Sequence, residues 1–291
     1  MRVIEPSELI INKDGSVFHL HMHPEDLAKD VILVGDPGRV ELVASYFEKI
    51  ECTRSNREFV STTGYYKGKR ITVLSTGIGT DNIDIVVNEL DALANISLTE
   101  RTVKKEHTSL NLIRIGTSGA LQGDIPVGSF VLSQMSIGFD GLLNFYANRD
   151  KVSDLEMEKA FTDFTSWNPQ CPSPYFVAAS PILCEKMKAF TISGITISAP
   201  GFYGPQGRVL RLPLADGELN EKIESFSYKG RKITNFEMES SAIAGLSLLL
   251  GHQAVTICAI IANRVTKTAF DDYKPSITKL VENVLESIVS K

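Results

Sequence analysis

The sequence has few cysteines, and they lie far apart. They are Cys52, Cys171, Cys184 and Cys258, and no two of them form a Cys-x-x-Cys pair. This spacing favours neither a disulfide framework nor a cysteine-based metal site. It is typical of reduced, mostly buried thiols, so we expect a cytoplasmic protein.

The sequence also lacks a long basic run and a long uncharged apolar run. Its net charge is −5 at pH 7, with 22% charged and 43% hydrophobic residues. Nucleic-acid binding usually requires a basic surface, and a membrane-spanning helix requires about 20 mostly apolar residues. Met1 to Pro6 contain no apolar core of signal-peptide length. We therefore expect neither nucleic acid nor a membrane as a partner.

No internal repeat, low-complexity tract or linker rich in Pro, Gly and Ser divides the 291 residues. A chain of this length can bury one large core, so we predict a single domain over residues 1–291. The charged stretch Thr99 to Ser109 interrupts the apolar pattern. We expect it to be a solvated insertion in that domain.

Several short apolar runs are rich in Val and Ile and nearly continuous, which is typical of strands buried on both faces. They are Asp30 to Gly35, Arg70 to Gly77, Leu110 to Gly116, Ser129 to Gly138 and Ala254 to Ala262. Helical patterns occur at Ala242 to Leu250, which Gly251 ends, and at Ser276 to Ser290. The alternation predicts an α/β fold with a central, largely parallel or mixed sheet.

Residues that follow these strands are candidates for binding an anion, because ligands of open α/β sheets lie beyond the carboxyl ends of the strands. Gly35 and Arg39 belong to a Gly-Asp-Pro-Gly-Arg turn, and Thr117 belongs to Gly-Thr-Ser-Gly. Such turns offer backbone amides and hydroxyls to an oxyanion. Arg114 is unusual within an apolar run, since a buried arginine needs an anionic partner. That partner is either a structural carboxylate or a ligand phosphate.

A glycine-rich loop, Gly201 to Arg208, is a candidate for binding a planar ring. Gln206 offers both donors and an acceptor, whereas Arg208 offers donors only. Phe202 would pack against the face of the ring. The alternative is a turn that buries an aromatic side chain.

Two carboxylates near the start of the apolar helix, Glu237 and Glu239, are candidates for binding a sugar. They point to the same side if the segment is extended, and they point apart if it is already helical. A capping role is equally compatible with their position. We favour Glu239 as the sugar ligand.

Two other patterns are weaker. The Gly-x-Gly at residues 77–79 lacks the third glycine of a dinucleotide fingerprint, because Asn82 stands there. His19, His21 and His23 would share one face of a strand, so a metal site has to be considered. No cysteine or acidic partner is fixed by the sequence, and we expect no metal.

The motifs gain weight from their order along the chain. They are VFHL, GDPGR, NREF, STGIGT, RIGTSGA, FYGPQGR, NFEMES and ANR, from about Val17 to the final helix. In this order the set resembles the uridine phosphorylases within the nucleoside phosphorylase superfamily. The resemblance implies one α/β domain with a partly barrel-like mixed sheet flanked by helices. It also implies a homo-oligomer with active sites shared between subunits, either a dimer or a hexamer.

The resemblance further implies roles for individual residues. The phosphate pocket would comprise Gly35, Arg39, Arg114 and Thr117, with Arg57 from the partner subunit. The ribose would be held by Met238, Glu239 and, across the interface, His19. The base would be bound by Phe202, Gln206 and Arg208. The catalytic residues would be Arg114, Glu239 and Arg264, the last at the carbonyl where negative charge gathers. Phosphate would be a co-substrate and no cofactor is implied; we do not expect the potassium ion that some members bind near the position of Glu58.

The base preference is a narrower inference from the same resemblance. Purine enzymes of the superfamily typically have a Ser-Asp pair near the end of the last strand, where this chain has Asn263 and Arg264. Gln206 and Arg208 form the pyrimidine-type Gln-x-Arg. We therefore expect phosphate-dependent cleavage of uridine to uracil and ribose 1-phosphate in pyrimidine salvage. The alternatives are a purine nucleoside phosphorylase, a nucleosidase and a noncatalytic nucleoside-binding protein; deoxyuridine and thymidine stay open as substrates.

Overall fold

The computed structural model describes residues 2–290. The strands are β1 (Asp30–Val34), β2 (Lys49–Asn56), β3 (Phe59–Tyr66), β4 (Lys69–Ser75), β5 (Ile96–Ser97), β6 (Thr102–Val103), β7 (Asn111–Ala120), β8 (Phe130–Gly138), β9 (Tyr175–Ala178), β10 (Ile192–Ser198), β11 (Ser227–Tyr228), β12 (Arg231–Glu237), β13 (Gln253–Asn263) and β14 (Thr268–Ala269). The α-helices are α1 (Pro37–Ala44), α2 (Thr80–Asn95), α3 (Leu155–Thr165), α4 (Pro181–Met187), α5 (Leu219–Ser225), α6 (Ser240–Leu250) and α7 (Lys274–Val289).

Most strands belong to one mixed sheet of 12 strands, in the order β11-β12-β10-β8-β13-β7-β1-β4-β3-β2, with β9 on β8 and β14 on β13. Strands β1, β4, β7 and β13 run parallel to their neighbours in this series. The β2–β3–β4 segment is antiparallel. The sheet therefore combines a parallel centre with an antiparallel edge.

One further pairing bends part of the sheet into a ring. Strand β12 pairs antiparallel with the end of β7, where Asn235 lies opposite Ala120 and Phe236 opposite Gly119. This contact closes a five-strand ring of β7, β12, β10, β8 and β13. The predicted α/β fold with a mixed, partly barrel-like sheet is confirmed.

The core lies on both faces of the sheet. Within β1, Val31 and Leu33 pack in a cluster that includes residues of α2 and α6. The alternate residues Ile32 and Val34 pack in a second cluster with residues of α1 and α7. Side chains alternate between the two faces of a strand, so a strand covered on both sides must be apolar throughout. This explains the continuous apolar runs of the sequence.

The five apolar runs correspond to β1, β4, β7, β8 and β13, and the two helical patterns correspond to α6 and α7. Gly251 ends α6 with a φ of +80°, in the left-handed region that favours glycine. Strand β2 is missing from the predicted set because most of its residues are exposed or half-buried. An edge strand of this kind has no continuous apolar run.

Two segments differ from simple expectation. Residues 99–109 are mostly exposed, yet Arg101 donates hydrogen bonds to the backbone oxygens of Ile4 (2.8 Å) and Glu5 (3.0 Å). The three histidines do not lie on a strand, and His21 has a φ of +51°. They therefore share no strand face.

Within residues 2–290, every helix is too short or too polar to cross a bilayer.

Candidate active site

Two arginines approach each other where β1 and β7 lead into the following loops. Asp36 caps α1 by accepting a hydrogen bond from the Gly38 amide (3.0 Å), which leaves Arg39 in the first turn. The Arg39 guanidinium donates to the backbone oxygen of Ile115 at 3.4 Å. Burial, together with the nearby charge of Arg114, lowers the pKa of Arg39. Two partly desolvated like charges favour an anion between them.

Arg114 is buried and has carboxylate partners. Its Nη1 lies 3.2 Å from Glu237 Oε2, and its Nη2 forms an ion pair with Glu239. Burial opposes the charged form, but the two carboxylates outweigh it and raise the pKa of Arg114. The sequence left open whether the anionic partner of Arg114 is a structural carboxylate or a ligand phosphate, and the structure contains two such carboxylates. Within residues 2–290, the buried Nε of Arg114 has no hydrogen-bond acceptor, so one donor remains for a ligand.

The backbone beside Arg114 has no room for a side chain. A Cβ at Gly116 would lie 2.0 Å from Arg114 Nη1 and 2.9 Å from Cys258 Sγ. Cys258 itself lies 3.5 Å from Nη1, and burial raises the pKa of its thiol to about 12. Gly116 and a neutral thiol therefore allow the guanidinium to lie against β7.

The two carboxylates occupy different structural positions. Glu237 ends β12, and Glu239 is the residue before α6. Glu237 accepts hydrogen bonds from Ser198 Oγ (2.6 Å) and from the amides of Glu239 and Ser240 (2.9 Å each). The segment between them is neither helical nor fully extended, and both side chains reach Arg114. The sequence predicts Glu237 only as an alternative sugar ligand; its contact with Arg114 was not predicted, although a structural carboxylate was one of the two partners considered for that arginine.

Glu239 is the less completely bonded of the two carboxylates. Its Oε1 accepts a hydrogen bond from the Gly79 amide at 2.8 Å, a contact that the sequence did not indicate. Burial, and secondarily the charge of Glu237, raises the pKa of Glu239 to about 7 against the opposing effect of Arg114. A carboxyl with such a pKa changes protonation near neutral pH.

The glycine-rich loop gathers the candidate base-binding residues. Arg208 donates hydrogen bonds to Gln206 Oε1 and to the backbone oxygen of Phe202, each at 2.6 Å. Its guanidinium carbon lies 3.9 Å from the centroid of the Phe202 ring. Arg264 donates to the backbone oxygen of Gln206. Burial and the charge of Arg264 lower the pKa of Arg208, so this cluster, too, favours electron-rich groups.

Contacts through β10 and β12 join this loop to the arginine–carboxylate cluster. Ser198, which precedes the loop, bonds Glu237, and the Arg264 guanidinium lies 5.6 Å from the ring centroid of Phe236. Asn263 is fully used in a turn: its amide group donates to the oxygens of Gln122 (2.8 Å) and Ile125 (2.9 Å). The side chain of Asn263 therefore has a structural role, whereas Arg264, at the same strand end, contacts the loop through the backbone oxygen of Gln206.

The remaining predicted residues lie at the edges of the site or outside it. Thr117 and Met238 are half-buried, and Gly35 lies where a Cβ would be 3.5 Å from the backbone oxygen of Gly77. His19 Nδ1 lies 2.6 Å from Glu89 Oε1. Arg57 is exposed in the β2–β3 turn, with a φ of +55°. The chain thus brings together Arg39, Arg114 and Glu239 in one group and Phe202, Gln206, Arg208 and Arg264 in another. Within residues 2–290, Arg57 forms no hydrogen bond or ion pair with either group.

A cavity of about 770 Å³ opens beside the glycine-rich loop. Its lining includes Tyr203 and Arg208 from the loop, together with Phe139, Trp167 and Leu219. It does not include the arginines of the anion cluster. The cavity is largely apolar and has room for a drug-sized ligand.

One cluster has metal-ligating side chains. The ligand atoms of Asp91, His107 and His252 all lie within 4.8 Å of one another. His252 Nδ1 accepts a hydrogen bond from the Leu110 amide at 3.2 Å, so the neutral ring carries its proton on Nε2. Nε2 is the nitrogen that lies 3.1 Å from Asp91 Oδ1. Within residues 2–290, Nε2 has no partner with hydrogen-bond geometry despite this short distance, and a metal at Nε2 would require that nitrogen without its proton.

The mixed, partly closed sheet and the two arginine-containing clusters define an α/β protein whose candidate site is suited to a small anion and a polar ring. Residues 29–290 match the family model described as the phosphorylase superfamily. The chain belongs to that family.

Individual relatives agree with this assignment. The chain is 32% identical to the uridine phosphorylase of Escherichia coli, over 86% of this chain and 87% of the relative. It is 29% identical to that of Thermococcus kodakarensis, over 87% of this chain and 80% of the relative. A Trypanosoma brucei nucleoside phosphorylase, described as showing uridine phosphorylase activity, has a TM-score of 0.88 and 30% identity over 97% of this chain and 100% of its own.

Proposed function

We propose that this chain cleaves uridine with inorganic phosphate to give uracil and ribose 1-phosphate. The observation that carries the proposal is the contact of two carboxylates with Arg114 at the strand end that leads into the second arginine-containing cluster. Glu237 and Glu239 both contact Arg114, and Glu237 also accepts a hydrogen bond from Ser198, which ends the strand before the loop of Gln206 and Arg208. Such a site can hold an anion, a hydroxylated sugar and a polar ring in a row.

The phosphate lies with Arg39 and Arg114 and takes the free Nε donor of Arg114. Gly35 and Thr117 contribute an amide and a hydroxyl, and Arg57 of the partner subunit supplies a further charge. Bond breaking makes the ribose cationic, so a phosphate below the anomeric carbon stabilises the transition state more than the substrate. This accounts for the need for phosphate.

The ribose hydroxyls donate to Glu239, with Met238 against the sugar and His19 of the partner subunit at the 5′-hydroxyl. Phe202 packs on the base, and Gln206 and Arg208 bind its carbonyl and N–H edge. Arg264 stabilises the negative charge that gathers on the departing uracil. These steps require no cofactor and no metal. The sharing of residues requires a homo-oligomer, and the setting we propose is pyrimidine salvage in the cytoplasm.

The test is base release from uridine, thymidine, inosine and adenosine, each with and without phosphate. The expected result is uracil release from uridine only when phosphate is present, with ribose 1-phosphate as the second product. Uracil release without phosphate would identify a nucleosidase, and faster turnover of inosine would identify a purine enzyme. Nucleoside binding without turnover would identify a noncatalytic binding protein.

A further inference from the structure

A half-buried carboxylate beyond the proposed site, that of Asp140, has no role in the reaction described above. Asp140 follows β8, and its carboxylate accepts hydrogen bonds from Tyr175 Oη (2.9 Å), Ser241 Oγ (3.1 Å) and the Leu142 amide (2.8 Å). Burial raises the pKa of Asp140, although these donors oppose the shift. Partial burial of a carboxylate among neutral donors is unfavourable for folding, so its position calls for an explanation.

The surrounding chain makes room for this cluster. A Cβ at Gly138 would lie 2.2 Å from Tyr175 Cζ, so only glycine lets the tyrosine reach Asp140. The contact with α6 continues at Leu143. A Cβ at Gly245 would lie 2.9 Å from both methyl carbons of that leucine. Ser241 and Gly245 lie one turn apart on α6. The segment from Asp140 to Leu143 therefore contacts one face of the helix along its first turns.

Ser241 connects this contact to the site. Its amide donates to Ser198 Oγ at 2.8 Å, and Ser198 Oγ donates to Glu237 Oε1 at 2.6 Å. Glu237 in turn lies 3.2 Å from Arg114. Glu239 immediately precedes the helix, so the place of its carboxylate depends on where the first turn of α6 sits.

We propose that Asp140 and Tyr175 are positioning residues for the ribose-binding carboxylate. By holding Ser241 they fix the first turn of α6, and through Ser198 and Glu237 they orient Glu239 and Arg114. This inference rests on the proposed function, because it assigns the two residues to the same site. Neither residue contacts the substrate in this scheme.

The test compares uridine with its 2′-deoxy and 3′-deoxy analogues. Glu239→Gln first identifies the analogue whose discrimination against uridine depends on that carboxylate. Asp140→Asn and Tyr175→Phe should then change the same ratio of kcat/KM values in the same direction, by about 3- to 10-fold, as expected for the net contribution of one hydrogen bond. Phenylalanine keeps the ring over Gly138, so Tyr175→Phe decides the question if Asp140→Asn does not fold.

Tyr146→Phe is the matched control, because it removes a tyrosine hydroxyl that bonds the carboxylate of Asp84 on α2. It should leave the ratio unchanged. An equal loss with uridine and both analogues in the two variants, or no change in the ratio, would overturn the positioning role. Lack of phosphate-dependent turnover by the wild-type protein would instead refute the proposed function, so the two failures are distinct.

Discussion

Glu237 and Glu239 show how two identical side chains acquire different tasks from their surroundings. Glu237 is enclosed by the hydroxyl of Ser198 and by amides at the start of α6, in addition to Arg114. Glu239 has one amide and the shared arginine. The carboxylate with fewer fixed donors is the one that can accept hydrogen bonds from a substrate.

This difference predicts the effect of Glu237→Gln on pH dependence. In the proposed mechanism Glu239 must be ionised to accept hydrogen bonds from ribose, so activity should rise with pH through its pKa of about 7. The charge of Glu237 raises that pKa. Its removal should therefore lower the pKa and move the acidic limb of kcat/KM for uridine to lower pH.

Phosphate also titrates in this pH range, but its titration is the same in assays of the wild type and of Glu237→Gln. A difference between their pH profiles of kcat/KM therefore reports a change in the enzyme. Glu51→Gln, which changes an exposed carboxylate on β2, should leave the profile in place. An acidic limb that is unchanged or moves to higher pH in Glu237→Gln would contradict the proposed effect of the Glu237 charge on the pKa of Glu239.

Arg208→Ala tests the base-binding cluster. Loss of the guanidinium leaves Gln206 Oε1 and the ring edge of the base without a donor. The kcat/KM for uridine should therefore fall, by an amount that corresponds to a loss of roughly 1–3 kcal/mol of transition-state stabilisation. The KM for phosphate should not change, because the anion cluster lies elsewhere. Arg211→Ala removes an exposed arginine three residues beyond that loop and serves as the control. Unchanged uridine kinetics in Arg208→Ala would remove Arg208 from the site.

At the scale of elements, the sequence predicts what depends on neighbours along the chain. The strands β1, β4, β7, β8 and β13 and the helices α6 and α7 follow from local patterns of apolar residues. The pairing of β12 with β7 does not, because it depends on a contact between distant segments. Likewise, Arg114, Glu239 and Arg208 could be selected as candidates by residue type and position. The contacts of Gly79 with Glu239, and of Glu237 with Ser198, required the folded chain.

Helix α6 offers a test of packing in which the usual sign is reversed. Alanine normally stabilises a helix interior relative to glycine by roughly 0.5–1 kcal/mol. At Gly245 the new Cβ would lie 2.9 Å from the methyl carbons of Leu143. We therefore expect Gly245→Ala to lower the free energy of unfolding by about 1–3 kcal/mol, as overpacking does, measured by urea denaturation.

The same substitution made in a Leu143→Ala background supplies the control. With the leucine methyl groups removed, Gly245→Ala should be neutral or stabilising, so the two substitutions should be coupled in a double-mutant cycle. Additive effects would show that the contact between Leu143 and α6 does not govern the packing of this helix.

At the scale of the molecule, the proposed site is incomplete within one chain. Arg57 is exposed in the β2–β3 turn, and in the proposed mechanism it acts on a neighbouring subunit. Arg39, Arg114 and Glu239 instead belong to a single chain. This division predicts which pairs of defective chains can complement each other.

Arg57→Ala should raise the KM for phosphate, and its mixtures with Arg114→Ala chains test the sharing. At a phosphate concentration well below the KM of Arg57→Ala, each variant alone has little activity. In a dimer with two shared sites, a mixed pair then contains one intact site, so random exchange of equal amounts of the two chains restores about a quarter of wild-type activity. Mixtures of Arg39→Ala and Arg114→Ala should restore none, since both residues come from one chain. Failure of the Arg57 mixture after confirmed subunit exchange would place Arg57 outside the partner's site.

The closed ring also sets when the active site can exist during synthesis. Strand β13 lies between β7 and β8 in the ring, although it is formed from residues 253–263, near the end of the 291-residue chain. Until that segment has left the ribosome, β7 and β8 have no strand to join them, and their inner edges remain unpaired. Such edges are open to pairing with other chains. Translation of the last strands is therefore the step at which a nascent chain gains its site and loses its tendency to aggregate.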